Sequence, residues 1–375
     1  MNCICRWAAM ITLLLFGVPQ PVPAVWFTGQ ISSYNSLQKA AEGRRTFEFG
    51  SRYLPELTHD IHKDAGLCLD TKVSANMFWF YSQTGQEANA KLYRCWFRFA
   101  TPKFESRIGL QKINFGPARL LRSLMWFDQL DPRDPLKLTD GVYGLRLRYD
   151  FENLSSIWLW GLLGNGETKG LEFTATRKGT PEYGGRLQIP LGPGEIGVTT
   201  HRRITNPETT AGYRLSGSRV PETRIALDGI WDVGLGLWFE SALMYADYRY
   251  HLLDWQSFIT LGSDYTFPFA NGVHVLAEHM LYTVGNRSFD RKQRFHLSGV
   301  MLSCPVTWLD QVSLYSIYNW ESQMAYHYLS WQRSLDRWLF HAGFFKRSGT
   351  ASFFLNQTGL PPGRHGLRLM LVFHY

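Results

Sequence analysis

Apolar and polar residues alternate along most of the chain after residue 24. The segment 141–151 is typical: its odd positions are apolar and its even positions are largely charged. The apolar side carries Tyr143, Leu145, Leu147 and Tyr149, and the other side carries Arg146, Arg148 and Asp150. A period of two with one apolar and one polar face predicts a β-strand that lies between an apolar phase and water.

Eighteen such segments follow one another, joined alternately by short turns and by longer, more polar loops. We place the strands near residues 26–33, 46–57, 67–83, 91–100, 104–115, 141–151, 155–163, 182–190, 194–204, 222–230, 234–250, 255–266, 272–284, 294–304, 310–321, 326–335, 337–346 and 366–375. Aromatic residues at strand ends are typical of membrane-interface girdles, and closure removes unpaired edges. The pattern therefore predicts an all-β fold, a transmembrane antiparallel up-and-down β-barrel of residues 25–375. About 18 strands would put both chain ends on the short-turn rim, and 16 strands stay as an alternative.

One connection, residues 116–140, differs from the rest. It holds Pro117 and two Asp-Pro steps, at Asp131 and Asp134, which cannot continue a strand or one long helix. It also holds an apolar run from Leu120 to Phe127, too much apolar surface to stay in solvent. Long irregular loops are usually functional or disordered. We expect this loop, the third on the long-loop (extracellular) side, to fold into the lumen and narrow a pore.

Charged residues in and beside this loop form the candidate site. The expected pore constriction consists of Arg119, Arg122, Asp128, Asp131, Arg133 and Asp134. The expected basic wall of the lumen consists of Arg94, Arg98, Arg107, Arg146 and Arg148. Acids and bases that face each other across a low-dielectric opening create a transverse field, and an arginine-rich wall attracts anions. The same charges could instead pair to pin the loop, with Asp128, Asp131 and Asp134 reaching the wall arginines.

Composition and the N-terminus narrow the class. Residues 1–24 have a positive Arg6, an apolar core and the small-residue site Val22-Pro23-Ala24, which is typical of a cleaved signal peptide. No later apolar run is long enough for a transmembrane helix. The formal charge of +8 is spread singly along strands, so we expect no nucleic-acid partner. The three later cysteines are too widely spaced for a disulfide framework.

One pair of residues has the spacing of a catalytic base and its nucleophile. His296 and Ser298 share a strand face, as a base and its nucleophile would need, and the spacing resembles that of outer-membrane phospholipases. Because Phe295, Leu297 and Gly299 look lipid-facing, we expect His296 and Ser298 to point into the lumen, away from lipid, which makes a barrel esterase a remote alternative. The chain shows no zinc spacing, phosphate loop or dinucleotide fingerprint. We therefore expect no enzyme, no metal and no cofactor.

Two segments resemble known membrane proteins. The last strand, Leu367 to Tyr375, ends in an aromatic residue and resembles the terminal signal of bacterial outer-membrane proteins. The run from Arg107 to Gly116, followed by the Asp-Pro-rich loop, resembles a strand and loop of porin-like outer-membrane families. The resemblance implies a passive channel for small polar or anionic solutes in the bacterial outer membrane, surrounded by lipid and present either alone or as a homo-oligomer. A structural or assembly subunit with a filled lumen is the alternative.

Overall fold

The alternating pattern forms long antiparallel strands. The computed structural model describes residues 24–39, 43, 45–64, 66–83, 85–206, 219–248, 254–290, 293–349 and 364–375. The strands in these ranges are β1 (Ala24–Lys39), β2 (Arg45–Lys63), β3 (Cys68–Ser82), β4 (Gly85–Ala100), β5 (Phe104–Gln111), β6 (Val142–Asp150), β7 (Ser156–Leu162), β8 (Ala175–Thr176), β9 (Glu182–Leu191), β10 (Gly194–Asn206), β11 (Val220–Asp232), β12 (Gly236–Ala246), β13 (Trp255–Phe267), β14 (Val273–Gly285), β15 (Arg294–Pro305), β16 (Asp310–Asn319), β17 (Met324–Ser334), β18 (Trp338–Ser348) and β19 (His365–His374). No helix among these residues is long and apolar enough to cross a membrane.

Eighteen of these strands close into one barrel. Each long strand pairs antiparallel with its sequence neighbour, and β1 pairs with both β2 and β19. At this seam, backbone hydrogen bonds join Gly29 and Tyr375 in both directions, at 3.2 and 3.1 Å. The two-residue strand β8 pairs only with β10 and is not part of the wall. The predicted 18-stranded barrel is confirmed. The predicted signal peptide lies, except for Ala24, outside the described residues.

The outer face of the barrel is apolar on most strands. Large exposed side chains on it include Ile31, Leu57, Ile108, Leu159, Val198, Ile225, Leu261, Leu302 and Leu369. Aromatic side chains such as Trp79, Tyr81, Tyr245 and Trp331 are exposed on the same face. An apolar outer surface on a closed barrel fits a bilayer, because every strand amide is paired and no edge meets lipid.

The inner face is not uniformly polar. On β12 to β15 it carries buried apolar side chains: Trp238, Ala242, Phe258, Leu276, Met280 and Leu297. This corrects the expectation for β15, in which Leu297 was assigned to lipid. Leu297 points inward and is fully buried, so its neighbours His296 and Ser298 point outward. The inner apolar surface exists because another part of the chain covers it.

Cys68, Cys95 and Cys304 are all unbridged.

Candidate functional site

The third loop on the long-loop rim lies inside the barrel. It runs from residue 112 to residue 141, between β5 and β6, and is called loop L3 here. Phe127 of L3 packs against Trp160 of β7 and His201 of β10, while Arg133 lies over the Tyr326 ring of β17. A single loop can touch strands so far apart around the barrel only from within the lumen.

Two carboxylates of the barrel wall hold L3 by its backbone. Glu278 of β14 accepts hydrogen bonds from the amides of Arg119, Leu120 and Leu121, at 2.7, 2.9 and 2.6 Å. The indole N–H of Trp238 also donates to Glu278, at 3.1 Å. Hydrogen bonds to an ionised acceptor are stronger than neutral ones. This carboxylate therefore orders three successive residues of the loop.

Glu240 of β12 binds the backbone on both sides of this three-residue stretch. It accepts hydrogen bonds from the amides of Ala118, Ser123 and Leu124, at 2.9, 2.7 and 3.2 Å. A Cβ at position 116 would meet Oε1 of Glu240 and displace the carboxylate that binds the loop. Gly116 also has a φ of +89°, in the left-handed region that favours glycine. Six loop amides are thus satisfied by two wall carboxylates.

Apolar packing completes the anchorage. The side chains of Leu120, Leu121, Leu124, Trp126 and Phe127 are buried, as the sequence predicted for this loop. They join the inward apolar side chains of β12 to β15 in one cluster. Burial of apolar surface is the largest favourable contribution to such packing.

The charges of L3 pair mainly within the loop. Arg122 and Asp128 form a bidentate ion pair at 2.9 and 3.1 Å, and Asp128 is only 1% exposed. Asp131 pairs with Arg133 at 2.7 Å. The expectation that Asp128 and Asp131 pair with the strand arginines was wrong, because closer partners lie two and six residues away in the loop.

Arg119 and Asp134, the remaining loop charges of the candidate site, have different surroundings. Arg119 is half exposed and pairs with Asp264 of β13 at 2.7 Å. The Asp134 carboxylate accepts hydrogen bonds from the amides of Leu136 and Leu138, at 3.0 and 3.2 Å. Burial nevertheless raises the pKa of Asp134 above its ordinary value of 3.8, while these amides and the charge of Arg52 on β2 act to lower it.

Three of the basic-wall residues form one row across neighbouring strands. Arg98, Arg107 and Arg146 are successive cross-strand partners on β4, β5 and β6. All three guanidinium groups reach the same carboxylate, Glu105, and Arg98 also binds Asp70 at 2.7 Å. A guanidinium has five N–H donors, so three groups around these acids keep donors for a further acceptor.

The other two basic-wall residues are engaged locally. Arg94 is buried and donates to the backbone oxygens of Thr139 and Tyr93, so it holds the end of L3. Arg148 pairs with Asp150 at 2.8 Å near the short-turn rim. Of the five arginines that were predicted to form the basic wall, three therefore form one inward row.

A second inward segment lies beside L3. It consists of residues 163–181, between β7 and β9, and is called loop L4 here. Glu172 of L4 pairs with Arg203 of β10 and Arg224 of β11, and Glu222 binds the same two arginines. These groups are buried, and a bulkier residue at Gly170 would strike the backbone of Met125 in L3. The two loops thus pack against each other on one side of the lumen.

Open space remains beside L3. A cavity of about 510 Å³ lies between L3 and strands β15 and β16, and its lining includes Arg119, Arg122, Asp131, Lys137, Met301 and Tyr315. Further around the wall, Arg52 of β2 and Arg368 of β19 lie on the inward faces of their strands. The described residues contain no group of acids, histidines or cysteines that could hold a metal ion.

Sequence reasoning missed Glu240, Glu278 and the L4 cluster of Glu172, Arg203 and Arg224. One signal was available. Glu240 and Glu278 are single acids on strand faces whose other members are mostly apolar, such as Ala242, Leu276 and Met280. A carboxylate on an apolar inward face indicates that something with hydrogen-bond donors covers it.

The closed 18-stranded wall, the apolar outer face and the third long loop inside the lumen define an outer-membrane porin fold. Three solved structures illustrate it. The match to Pseudomonas aeruginosa OpdQ has a TM-score of 0.57 at 6% identity and covers 94% of this chain and 98% of that one. The match to Pseudomonas aeruginosa OccK5 (OpdH) has a TM-score of 0.57 at 8% identity and covers 93% of this chain and 97% of that one. The match to an anion-selective porin from Comamonas acidovorans has a TM-score of 0.53 at 11% identity and covers 94% of this chain and 100% of that one.

At identities this low, the likeness is one of fold alone. No protein-family model matches the chain, and no characterised protein matches it by sequence.

Proposed function

We propose that this protein is a channel of the bacterial outer membrane through which small polar solutes diffuse passively, anions in preference to cations. It needs no cofactor and performs no catalysis in this role. The observation that carries the proposal is the position of L3: Glu240 and Glu278 hold it in the lumen beside an open cavity. A loop anchored in this way narrows a pore without obstructing the wall that faces it.

The preference for anions rests on the arrangement of charge. Arg98, Arg107 and Arg146 contact two carboxylates, those of Glu105 and Asp70, so guanidinium groups outnumber the acids that they contact. Charges on low-dielectric walls focus the field in the opening between them. An excess of guanidinium groups there favours small anions, since carboxylates and phosphates accept two parallel hydrogen bonds from arginine.

A structural subunit with a filled lumen is the competing interpretation. The cavity beside L3 argues against it, because it is lined by Arg119, Lys137 and Asp131 and is large enough for many water molecules. A space kept open by charged residues suits a solute path better than a packed core does.

Recordings in planar bilayers test the channel and its selectivity together. In a salt gradient the protein should give discrete conductance steps and a reversal potential of the sign for anions. The variant Arg98→Gln/Arg107→Gln/Arg146→Gln should lower the anion-to-cation permeability ratio about twofold or more. The control Lys63→Gln/Lys103→Gln/Arg337→Gln removes three exposed charges at the short-turn rim and should leave the ratio close to wild type. A bilayer that stays closed, or a clear preference for cations, would favour the structural subunit.

One observation favours a second candidate function, hydrolysis of lipid esters. On the outer face, the Ser298 hydroxyl lies 3.0 Å from Nδ1 of His279 and accepts a hydrogen bond from the Trp320 indole at 2.9 Å. Nε2 of His279 lies 3.4 Å from Nδ1 of His296. This nucleophile and base face lipid and not the lumen, contrary to the expectation from the sequence.

Channel function remains the better-supported proposal. The amides around Ser298 belong to strands paired on both sides, which leaves few donors for a developing oxyanion. Release of fatty acid from phospholipid micelles decides the matter. Turnover by the wild type that disappears in Ser298→Ala would establish the esterase, and no turnover by the wild type would remove it.

A further inference from the structure

Five basic side chains form a continuous row on the outer wall, at the long-loop ends of five neighbouring strands. In order around the barrel they are Arg45 on β2, Lys39 on β1, His365 on β19, Lys346 on β18 and His327 on β17. Each is the direct cross-strand partner of the next, and all are exposed. We call these five residues the basic row.

An apolar row runs directly beneath it. Two residues further into each strand, on the same outward face, lie Phe47, Leu37, Leu367, Phe344 and Leu329, which are also successive cross-strand partners. They are 41–49% exposed. Side chains two residues apart on a strand lie about 6–7 Å apart along it. The basic row therefore lies at the edge of the apolar outer face, where hydrocarbon ends.

Within the described residues, no acidic side chain compensates the charge of the basic row. Like charges directly opposite each other on neighbouring strands destabilise a sheet. No ion pair joins any member of the row to an acid within the described part of the chain. The Ser316 hydroxyl lies 3.0 Å from Nδ1 of His327 and fixes the orientation of that ring. Adjacent basic side chains at a membrane boundary are stabilised when anionic groups lie along them.

We propose that the basic row binds the phosphate groups of glycolipid in the outer leaflet of the outer membrane. The proposal depends on the outer-membrane placement given above, with the long loops directed outward. In that placement the apolar row contacts the acyl chains while the basic row lies at the level of the phosphorylated sugars. Arginine binds phosphate by two parallel hydrogen bonds, lysine as a point charge and histidine as a hydrogen-bond donor. The bound glycolipid thereby sets the height of the barrel relative to the membrane surface. It also lines one defined side of the barrel wall.

Native mass spectrometry of the detergent-solubilised mature protein with bisphosphorylated lipid A tests this proposal. The wild type should retain lipid A. The variant Lys39→Gln/Arg45→Gln/Lys346→Gln should bind it with an affinity at least about tenfold lower. The control is again Lys63→Gln/Lys103→Gln/Arg337→Gln, which loses the same charge at the opposite rim and should bind as the wild type does. Heat-modifiable migration on a gel verifies that each variant forms a closed barrel.

Two further arms identify the ligand. Dephosphorylated lipid A should bind the wild type as weakly as bisphosphorylated lipid A binds the basic-row variant. Millimolar inorganic phosphate should not displace lipid A, because it has no acyl chains to contact the apolar row. Equal binding by variant, control and wild type would overturn the proposal, and so would equal binding of dephosphorylated lipid A. A change of oligomeric state in the variant without a change in lipid binding would assign the row to a second copy of the chain.

Conductance of the same variant separates this proposal from the channel itself. A variant that loses lipid A and still conducts supports both proposals. A wild-type protein that binds lipid A and never conducts would refute the channel and leave the lipid site intact.

Discussion

Oε2 of Glu278 lies 2.6 Å from the backbone nitrogen of Leu121, a residue 157 positions earlier in the chain. In a sheet, amide hydrogens are accepted by the backbone carbonyl groups of a paired strand. Here the side chain of a wall strand accepts the amide hydrogens of an irregular segment. Inside a barrel no second sheet is present to satisfy such a segment. The position of L3 therefore depends on a few wall carboxylates.

Removing this acceptor should release the loop. Glu278→Ala leaves the amides of Arg119, Leu120 and Leu121 without their partner and should lower the free energy of loop opening by about 2–4 kcal/mol. Single-channel recordings should show larger current fluctuations, and amide hydrogen exchange in L3 should be faster. Glu152→Ala, which removes an exposed carboxylate from the turn after β6, should alter neither. Unchanged exchange in L3 would mean that apolar packing alone holds the loop.

The ion pair of Arg122 and Asp128 should behave as a buried pair. Asp128→Asn leaves a buried guanidinium without its counter-ion, and we expect a cost of about 3–5 kcal/mol in loop opening. The double variant Arg122→Met/Asp128→Leu removes both charges and should cost less than the single one. Loss of the exposed pair Lys103 and Glu152 should cost about 0–1 kcal/mol. A double-mutant cycle by hydrogen exchange measures these differences, and additive effects would contradict a coupled pair.

Deletion of Leu121–Pro135 should widen the pore. The strand ladder does not include these residues, so the barrel should still close and migrate as a heat-modifiable band. Conductance should rise about twofold or more, because the loop no longer occupies the lumen. Unchanged conductance in a folded deletion variant would show that L3 does not limit the passage of ions.

The stability of L3 should fall as pH rises through the pKa of Asp134. Burial raises this pKa in the folded loop above 3.8, so between these two values the folded loop holds a proton that the open loop has released. The resulting contribution is complete below pH 3.8, declines through the raised pKa and is constant above it. Asp134→Asn removes the contribution. The ratio of loop opening in the wild type to that in the variant should therefore increase from pH 4 to pH 7. A ratio that stays flat over this range would mean that Asp134 titrates as it does in the open loop.

Local patterns were sufficient for the wall of the barrel. Period-two alternation located all 18 long strands, because alternate residues of a strand between lipid and water face the two phases and differ in polarity. The inward loop was also predictable, since Asp-Pro steps exclude a strand and the run from Leu120 to Phe127 requires burial. The row of Arg98, Arg107 and Arg146 followed from strand parity.

The contacts that position the loop could not be read in this way. Glu240 and Glu278 lie more than a hundred residues from the amides that they bind, and no local pattern links the two. On β15 both faces contain apolar residues, and the inward one is apolar only because L3 covers it. Because L3 covers this face, Leu297 points inward while His296 and Ser298 point outward, which is the opposite of the prediction. Arg122 and Asp128 were correctly associated with the loop, yet their pairing with each other depended on how its backbone turns.

The seam between β1 and β19 also governs how the barrel must assemble. Gln30 pairs with His374, so this ladder joins residues far more distant in sequence than any pair of consecutive strands. Loop-closure entropy makes such a step slow and late, after the hairpins have formed. Until then both edge strands present unpaired amides to solvent or lipid, and closure of the seam is the step that ends this exposure. Slow refolding that accelerates when β1 and β19 are cross-linked would be the kinetic signature of this closure.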